Sequence, residues 1–141
     1  TRRARQREFD EPFVVLSSGS KAVSRLNQEI TRAGHHMTRG SRFFHILGKN
    51  DKGTAVLKLL ACYRRASKTR IRSVGLGDSP NDIPLLRAVE IPIVVARPNG
   101  RYDTEVLRSL PRSRRAGGKG PAGWNRAVLH LLRISMPSRQ G

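Results

Sequence analysis

Short apolar runs alternate along the chain with polar, glycine-containing breaks, and the period of each run predicts its conformation. Pro12-Phe13-Val14-Val15-Leu16 is rich in β-branched residues and predicts a buried strand. Ala22, Val23, Leu26 and Ile30 then recur at helical spacing between Ser20, a capping residue, and Gly34, a stop signal. Residues 36–39 and 42–47 predict two strands around the turn Arg39-Gly40-Ser41. After the polar break Gly48-Lys49-Asn50-Asp51, Asp51 is placed to cap a helix whose Ala55, Val56, Leu59, Leu60 and Tyr63 share one side. Residues 71–77 predict a strand that stops at Asp78-Ser79-Pro80-Asn81-Asp82. A short helix through Leu85, Leu86 and Val89 follows, then the strand 91–96. Asp103 or Thr104 can cap a helix through Val106, Leu107 and Leu110. Residues 111–123, rich in glycine and basic residues, predict a loop before a last helix bearing Trp124, Ala127, Val128, Leu131 and Leu132.

From Asp51 onward helices and strands alternate, which implies parallel strands joined by crossover helices and hence an α/β layer architecture. Before Gly48 the order is strand, helix, strand, strand, which suggests a small α+β unit. The expected division is therefore residues 1–48 and residues 49–141.

Composition narrows the functional classes. The 141 residues carry 28 Lys+Arg against 10 Asp+Glu, a net charge of +18. Such an excess invites phosphate-rich partners. The basic residues, however, are scattered in three clusters, Arg2 to Arg7, Arg64 to Arg72 and Arg112 to Arg115, and aromatics are only 5%. A solvated, arginine-biased surface is favoured over a nucleic-acid site with stacking platforms. No apolar run approaches the roughly 20 residues of a membrane span, and no signal-peptide core follows Thr1, so a cytoplasmic protein is expected. The lone Cys62 excludes an intrachain disulfide or a Cys-rich zinc site.

Two constellations carry chemistry. In Gly77-Asp78-Ser79-Pro80-Asn81-Asp82, two carboxylates and an amide follow a strand, where open α/β sheets gather ligands. Carboxylates without cysteines or paired histidines suit a hard cation such as Mg²⁺. A polar turn capping the next helix accounts for the same residues equally well. In Asn50-Asp51-Lys52-Gly53, a lysine stands at a helix start, where the macrodipole disfavours it. Lys52 with the adjacent amides would attract a phosphate; a solvated lysine is the alternative. The remaining candidates are weaker. His35 and His36 would point to opposite faces of a strand. His45 and His130 have no nucleophile at motif spacing, and Cys62 reads as a packed thiol. Trp124 reads as an anchor for the last helix, and Gly117-Gly118-Lys119-Gly120 as a mobile loop with an incomplete phosphate-loop pattern.

Asp51-Lys52-Gly53 followed by Gly77-Asp78-Ser79-Pro80-Asn81-Asp82 resembles the haloacid dehalogenase phosphatase superfamily. The stretch Met37-Thr38-Arg39-Gly40-Ser41-Arg42-Phe43-Phe44-His45 is similar to the mannosyl-3-phosphoglycerate phosphatase family within it. So are Phe9-Asp10-Glu11-Pro12-Phe13 and Gly120-Pro121-Ala122-Gly123-Trp124-Asn125-Arg126-Ala127-Val128, so the likeness covers about residues 8–133. The resemblance implies an α/β fold: a partial Rossmann-like core over residues 49–141, preceded by part of an α+β cap over residues 1–48. It implies a Mg²⁺-dependent phosphomonoesterase acting through an aspartyl phosphate on a phosphorylated sugar–glycerate. Asp78 and Asp82 would serve the metal, and Lys52 and Asp82 the catalysis. Gly40, Ser41, Arg42, Lys52 and Asn81 would bind substrate. A phosphatase of glucosyl-3-phosphoglycerate and a basic nucleic-acid-binding module are the alternatives.

One part of the family pattern is missing. The nucleophile of the superfamily lies in an Asp-x-Asp motif, and Asp10, Asp51, Asp78, Asp82 and Asp103 include no such pair. The chain is therefore expected to be the C-terminal portion of the enzyme, inactive alone, and either a partner of the N-terminal half or only marginally stable.

Overall fold

The structure of the protein is a computed structural model that describes residues 10–16, 19–40, 43–48 and 50–135. Two three-stranded sheets organise the described chain. The first is antiparallel, with β3 (Phe44–Leu47) between β1 (Asp10–Phe13) and β2 (His36–Arg39). Helix α1 (Ser20–Arg32) connects β1 to β2 and packs beside β2. It starts after Gly19 rather than Ser20, and Gly34 ends it at φ +83°, where a side chain would be strained. Facing positions on the three strands are Phe13, Phe44 and Arg39. The two phenylalanine rings stack at 5.7 Å, and the Arg39 guanidinium lies 5.6 Å from the Phe44 ring, a cross-strand cation–π contact.

The second sheet is parallel, in the order β4 (Val74–Gly77), β5 (Ile91–Ala96), β6 (Arg114–Lys119). Helices α2 (Lys52–Ala66), α3 (Ile83–Ala88), α4 (Thr104–Ser109) and α5 (Gly120–Ser135) accompany it. The continuous apolar sequence of β5 follows from burial on both faces. Ile91, Ile93 and Val95 meet Ala116 and Ala127 on the α5 side. Val94 meets Leu86 and Val106, from α3 and α4, on the other. This is the helix–sheet–helix layering that alternating elements predict. No helix among the described residues is long and apolar enough to cross a membrane.

Several expectations are corrected. The segment 111–123 is not a loop: β6 occupies Arg114–Lys119 and α5 begins at Gly120, so the parallel sheet has three described strands. β6 escapes sequence reading because Ala116 is its only buried residue. β1 ends at Phe13, and of the apolar residues beyond it Val14 and Leu16 are exposed, Leu16 at 95%. β4 starts at Val74, three residues later than its apolar pattern suggests. Cys62 and Trp124 are exposed rather than packed. The cluster Arg2 to Arg7 lies outside the described residues, whereas Arg64 and Arg70 approach Glu90 at 3.9 and 3.6 Å.

Candidate functional site

The loop after β4 and the first turn of α2 meet beyond the carboxyl end of the parallel strands. A 3-10 turn, Pro80–Asp82, brings the chain round so that Asp82 points back under its own loop. One oxygen of Asp82, Oδ2, accepts hydrogen bonds from the backbone N–H of Asp78 at 3.1 Å and of Ser79 at 3.3 Å. The Ser79 hydroxyl lies 3.2 Å from the same oxygen and donates to Asn81 Oδ1 at 2.7 Å. The other oxygen, Oδ1, pairs with Lys52 Nζ at 2.5 Å. Asp82 is buried, and its charge is balanced on both sides, so it is an organiser of the loop.

Two glycines make this convergence possible. A Cβ at Gly53 would stand 2.5 Å from the Pro84 carbonyl oxygen, so its absence lets the first turn of α2 touch α3 and fixes the origin of Lys52. A Cβ at Gly77 would overlap the side chain of Asp82. Asp51 caps α2: its carboxylate accepts from Thr54 N–H at 2.8 Å and from the Thr54 hydroxyl at 3.1 Å. The bond from the Thr54 backbone holds the Asp51 carboxyl below its usual value, opposed by partial burial. The Thr54 hydroxyl, the Gly53 N–H and the charge of His36 add to the lowering. A lowered folded-state value means that the cap contributes fully above the ordinary carboxylate range and is lost as pH falls through that lowered value. Asp51→Ala should therefore cost about 1 kcal/mol at neutral pH in urea denaturation. The gap from the parent should narrow as pH falls through that lowered value; a gap independent of pH would refute a charged cap.

Asp78 differs from Asp82. Its backbone is engaged, with Arg97 Nε donating to its carbonyl oxygen at 3.4 Å, but its carboxylate accepts nothing from the described residues. It borders a cavity of 380 Å³ with Lys52, Asn81 and Asp82, closed from the antiparallel sheet by Gly40 and His45. A Cβ at Gly40 would lie 3.2 Å from His45 Nε2 and 3.6 Å from Asn81 Nδ2, so the two sheets meet there. A cation, a carboxylate open to solvent and an amide thus share one small polar cavity. No group of three or more His, Cys, Asp or Glu able to hold a metal exists among the described residues, which rules out an all-protein cage from them. The donor set fits a Mg²⁺ site of the sparse kind, in which one or two carboxylates leave the rest of the shell to water and phosphate oxygens.

A larger cavity of 690 Å³ opens beside the first, lined by His36, Thr38 and His45 from the antiparallel sheet and by Asn50, Asp51 and Asn81. Lys52 and Asn81 border both cavities. The sequence reading weighed His36 and His45 and set them aside as weak candidates. Their signal was period two: Thr38 faces His45 and His36 faces Leu47 across β2 and β3, so all four side chains share one face. Of the expected residues, Gly40, Lys52, Asn81, Asp78 and Asp82 converge on the smaller cavity. Ser41 and Arg42 lie outside the described residues.

The chain is similar to curated proteins along most of its length. A protein of Methanococcoides burtonii named glucosyl-3-phosphoglycerate/mannosyl-3-phosphoglycerate phosphatase is 42% identical over 129 residues, 92% of this chain and 46% of that protein. A protein of the same name from Persephonella marina is 35% identical over 130 residues, again 92% of this chain and 46% of its own length. The chain thus spans about half the length of the curated relatives it matches. No family model matches it. The crystal structure of Thermoplasma acidophilum 0175 superposes with a TM-score of 0.62 at 19% identity, over 94% of this chain and 53% of that one. That likeness concerns the fold alone, a mixed helix and strand arrangement with a parallel three-stranded sheet. The motif resemblance to mannosyl-3-phosphoglycerate phosphatases and these relatives agree.

Proposed function

We propose that this chain is the phosphate- and metal-handling portion of a phosphatase that acts on mannosyl-3-phosphoglycerate, glucosyl-3-phosphoglycerate, or both. The observation that carries the reading is the Lys52–Asp82 ion pair beside the open carboxylate of Asp78, in a chain 42% identical to a protein named for that activity. Lys52 sits at the wall of the smaller cavity, where an ammonium group neutralises the oxygens of a transferring phosphoryl group. Asn81 offers a neutral donor for the same oxygens, and Asp82 holds the lysine in place. Asp78 would hold Mg²⁺, with Asp82 behind it. Bound there, the ion would supply Lewis-acid polarisation of phosphate oxygens. Gly40 leaves room between the sheets, and Ser41 and Arg42 remain candidates for gripping the glycerate carboxylate.

The larger cavity suits the rest of such a substrate. Its His36, Thr38, Asn50 and Asp51 side chains offer donors and acceptors for hydroxyl groups next to the phosphate subsite. The division at residues 48–49 into part of a cap and the closing half of a core belongs to the same reading. In this reading the Asp-x-Asp nucleophile comes from the half of the relatives that the chain does not span. The isolated 141 residues are then inactive, and an extended protein carrying that half releases phosphate from at least one of the two substrates with Mg²⁺. Phosphate release is the assay. Turnover by the isolated chain would refute its dependence on the other half, and an inert extended protein would refute the activity. The glucosyl and mannosyl substrates are compared by kcat/KM. Salt-sensitive nucleic-acid binding at physiological ionic strength would favour the alternative class instead.

A further inference from the structure

A second cationic pocket stands at the opposite edge of the parallel sheet. The candidate site follows the carboxyl end of β4; Arg114 opens β6, two strands away and at the amino end. Arg114 pairs in register with Ile93, whose side chain belongs to the α5-facing core, and Ala116, two residues on, is buried in that same core. Alternation along the strand therefore directs Arg114 to the α5 side. On α5, Arg126 and His130 are one turn apart and face the same groove. Together with Gly117 they line a cavity of 220 Å³, floored by Ile93, Ala127 and Leu131.

We infer that this pocket binds a small tetrahedral oxyanion, inorganic phosphate or the phosphate of a monoester, through Arg114, Arg126 and His130. Among the described residues none of these three has a carboxylate partner. Three nitrogen-bearing side chains thus converge on one cup without an internal counter-charge, in a protein of net charge +18. The guanidinium forks match the paired oxygens of phosphate. Arg126 lies against the strand at Gly117, where a Cβ would meet its Cδ at 3.4 Å, an ordinary contact distance. The wall is braced from the other face, where the Tyr102 hydroxyl donates to the Ala116 carbonyl at 2.8 Å. Arg115 also borders the cavity, but its guanidinium lies 5.6 Å from the Tyr102 ring, so it is not assigned as a ligand.

Basic residues on an edge strand also discourage pairing with other chains. That role accounts for Arg114, Arg115 and Lys119. It does not call for Arg126 and His130, which come from a helix and face the same cup.

The test is a titration of the chain with inorganic phosphate at constant ionic strength, followed by 1H–15N spectra. Saturable shifts at the amides of Ala116, Gly117 and Gly118, with a Kd from about 0.1 to 10 mM, are expected. Arg114→Gln and Arg126→Gln should each weaken them at least about 10-fold. Arg114→Lys and Arg126→Lys, which keep the charge but lose the fork, should fall between, and the unperturbed remainder of the spectrum reports folding. Arg115→Gln and Lys52→Gln should leave these shifts unchanged, the latter separating this pocket from the candidate phosphate site. Shifts that chloride reproduces, or that survive both arginine variants, would overturn the proposal. So would arginine-dependent shifts seen with a single-stranded oligonucleotide but not with inorganic phosphate, which would make the groove part of a polyanion surface.

Discussion

Asp78→Asn, introduced into an extended protein that carries the other half of its relatives, should lower the proposed Mg²⁺-dependent phosphate release about 10³-fold. The size follows from the charge removed. The carboxylate of Asp78 accepts nothing from the described residues, so a cation is its natural partner. Loss of metal polarisation at a phosphoryl group is worth several kcal/mol, and about 4 kcal/mol is three powers of ten in rate. An asparagine retains the shape and the backbone bonds of the loop, so the fold should be intact. Steady-state kinetics over a Mg²⁺ titration checks the result: the variant should need far more Mg²⁺, and excess metal should recover only part of the rate. Unchanged kcat with unchanged Mg²⁺ dependence would remove Asp78 from the metal role. If the extended parent is itself inactive, the proposed function fails before this residue is tested.

Asp82→Ala acts on stability instead. In the 141-residue chain it should cost about 3 kcal/mol, because the N–H groups of Asp78 and Ser79 lose a buried acceptor and Lys52 loses its partner. Breaking a fully buried pair costs more, roughly 3–5 kcal/mol, but the lysine side chain is 51% exposed, so water recovers part of its charge. With urea m-values of about 1–3 kcal/mol/M, the midpoint should fall by roughly 1–3 M. Asp82→Asn retains one acceptor oxygen and should lose about half as much. Urea unfolding followed by circular dichroism decides the matter. A change under about 0.5 kcal/mol would mean that the loop is not organised by Asp82.

Both predictions rest on residues that were legible in the sequence, and the reason is chemical. Asp78, Asn81, Asp82 and Lys52 are compact polar signals at element boundaries, and Asp51 is a capping residue in the expected place. β5 was legible because six residues, Ile91–Ala96, are apolar or proline and buried on two faces. β6 was not. An edge strand with one buried alanine has no apolar alternation to read, and its arginines and glycines look like loop residues until Val94 and Ile93 are seen beside them. The end of β1 was misplaced because Val14 and Leu16 are apolar yet exposed, and local sequence does not report what a side chain will face. The division of labour between the two carboxylates was likewise hidden. Asp78 and Asp82 are four positions apart with equal charge, and only the return of the chain through Pro80–Asp82 turns one inward and leaves the other open.

Gly53 and Gly77 extend this lesson to mutational tolerance. Around most binding sites the charged residues are considered the least replaceable. Here the Lys52 side chain is 51% exposed, so a different side chain there has solvent to extend into. Gly53 and Gly77 have no such latitude, since even one methyl group meets a carbonyl or the Asp82 side chain. Two positions that carry no chemistry are therefore held by shape alone, while Lys52, Asp78 and Asp82 are held by the roles proposed for them. A library randomised around the site would lose those two glycines last.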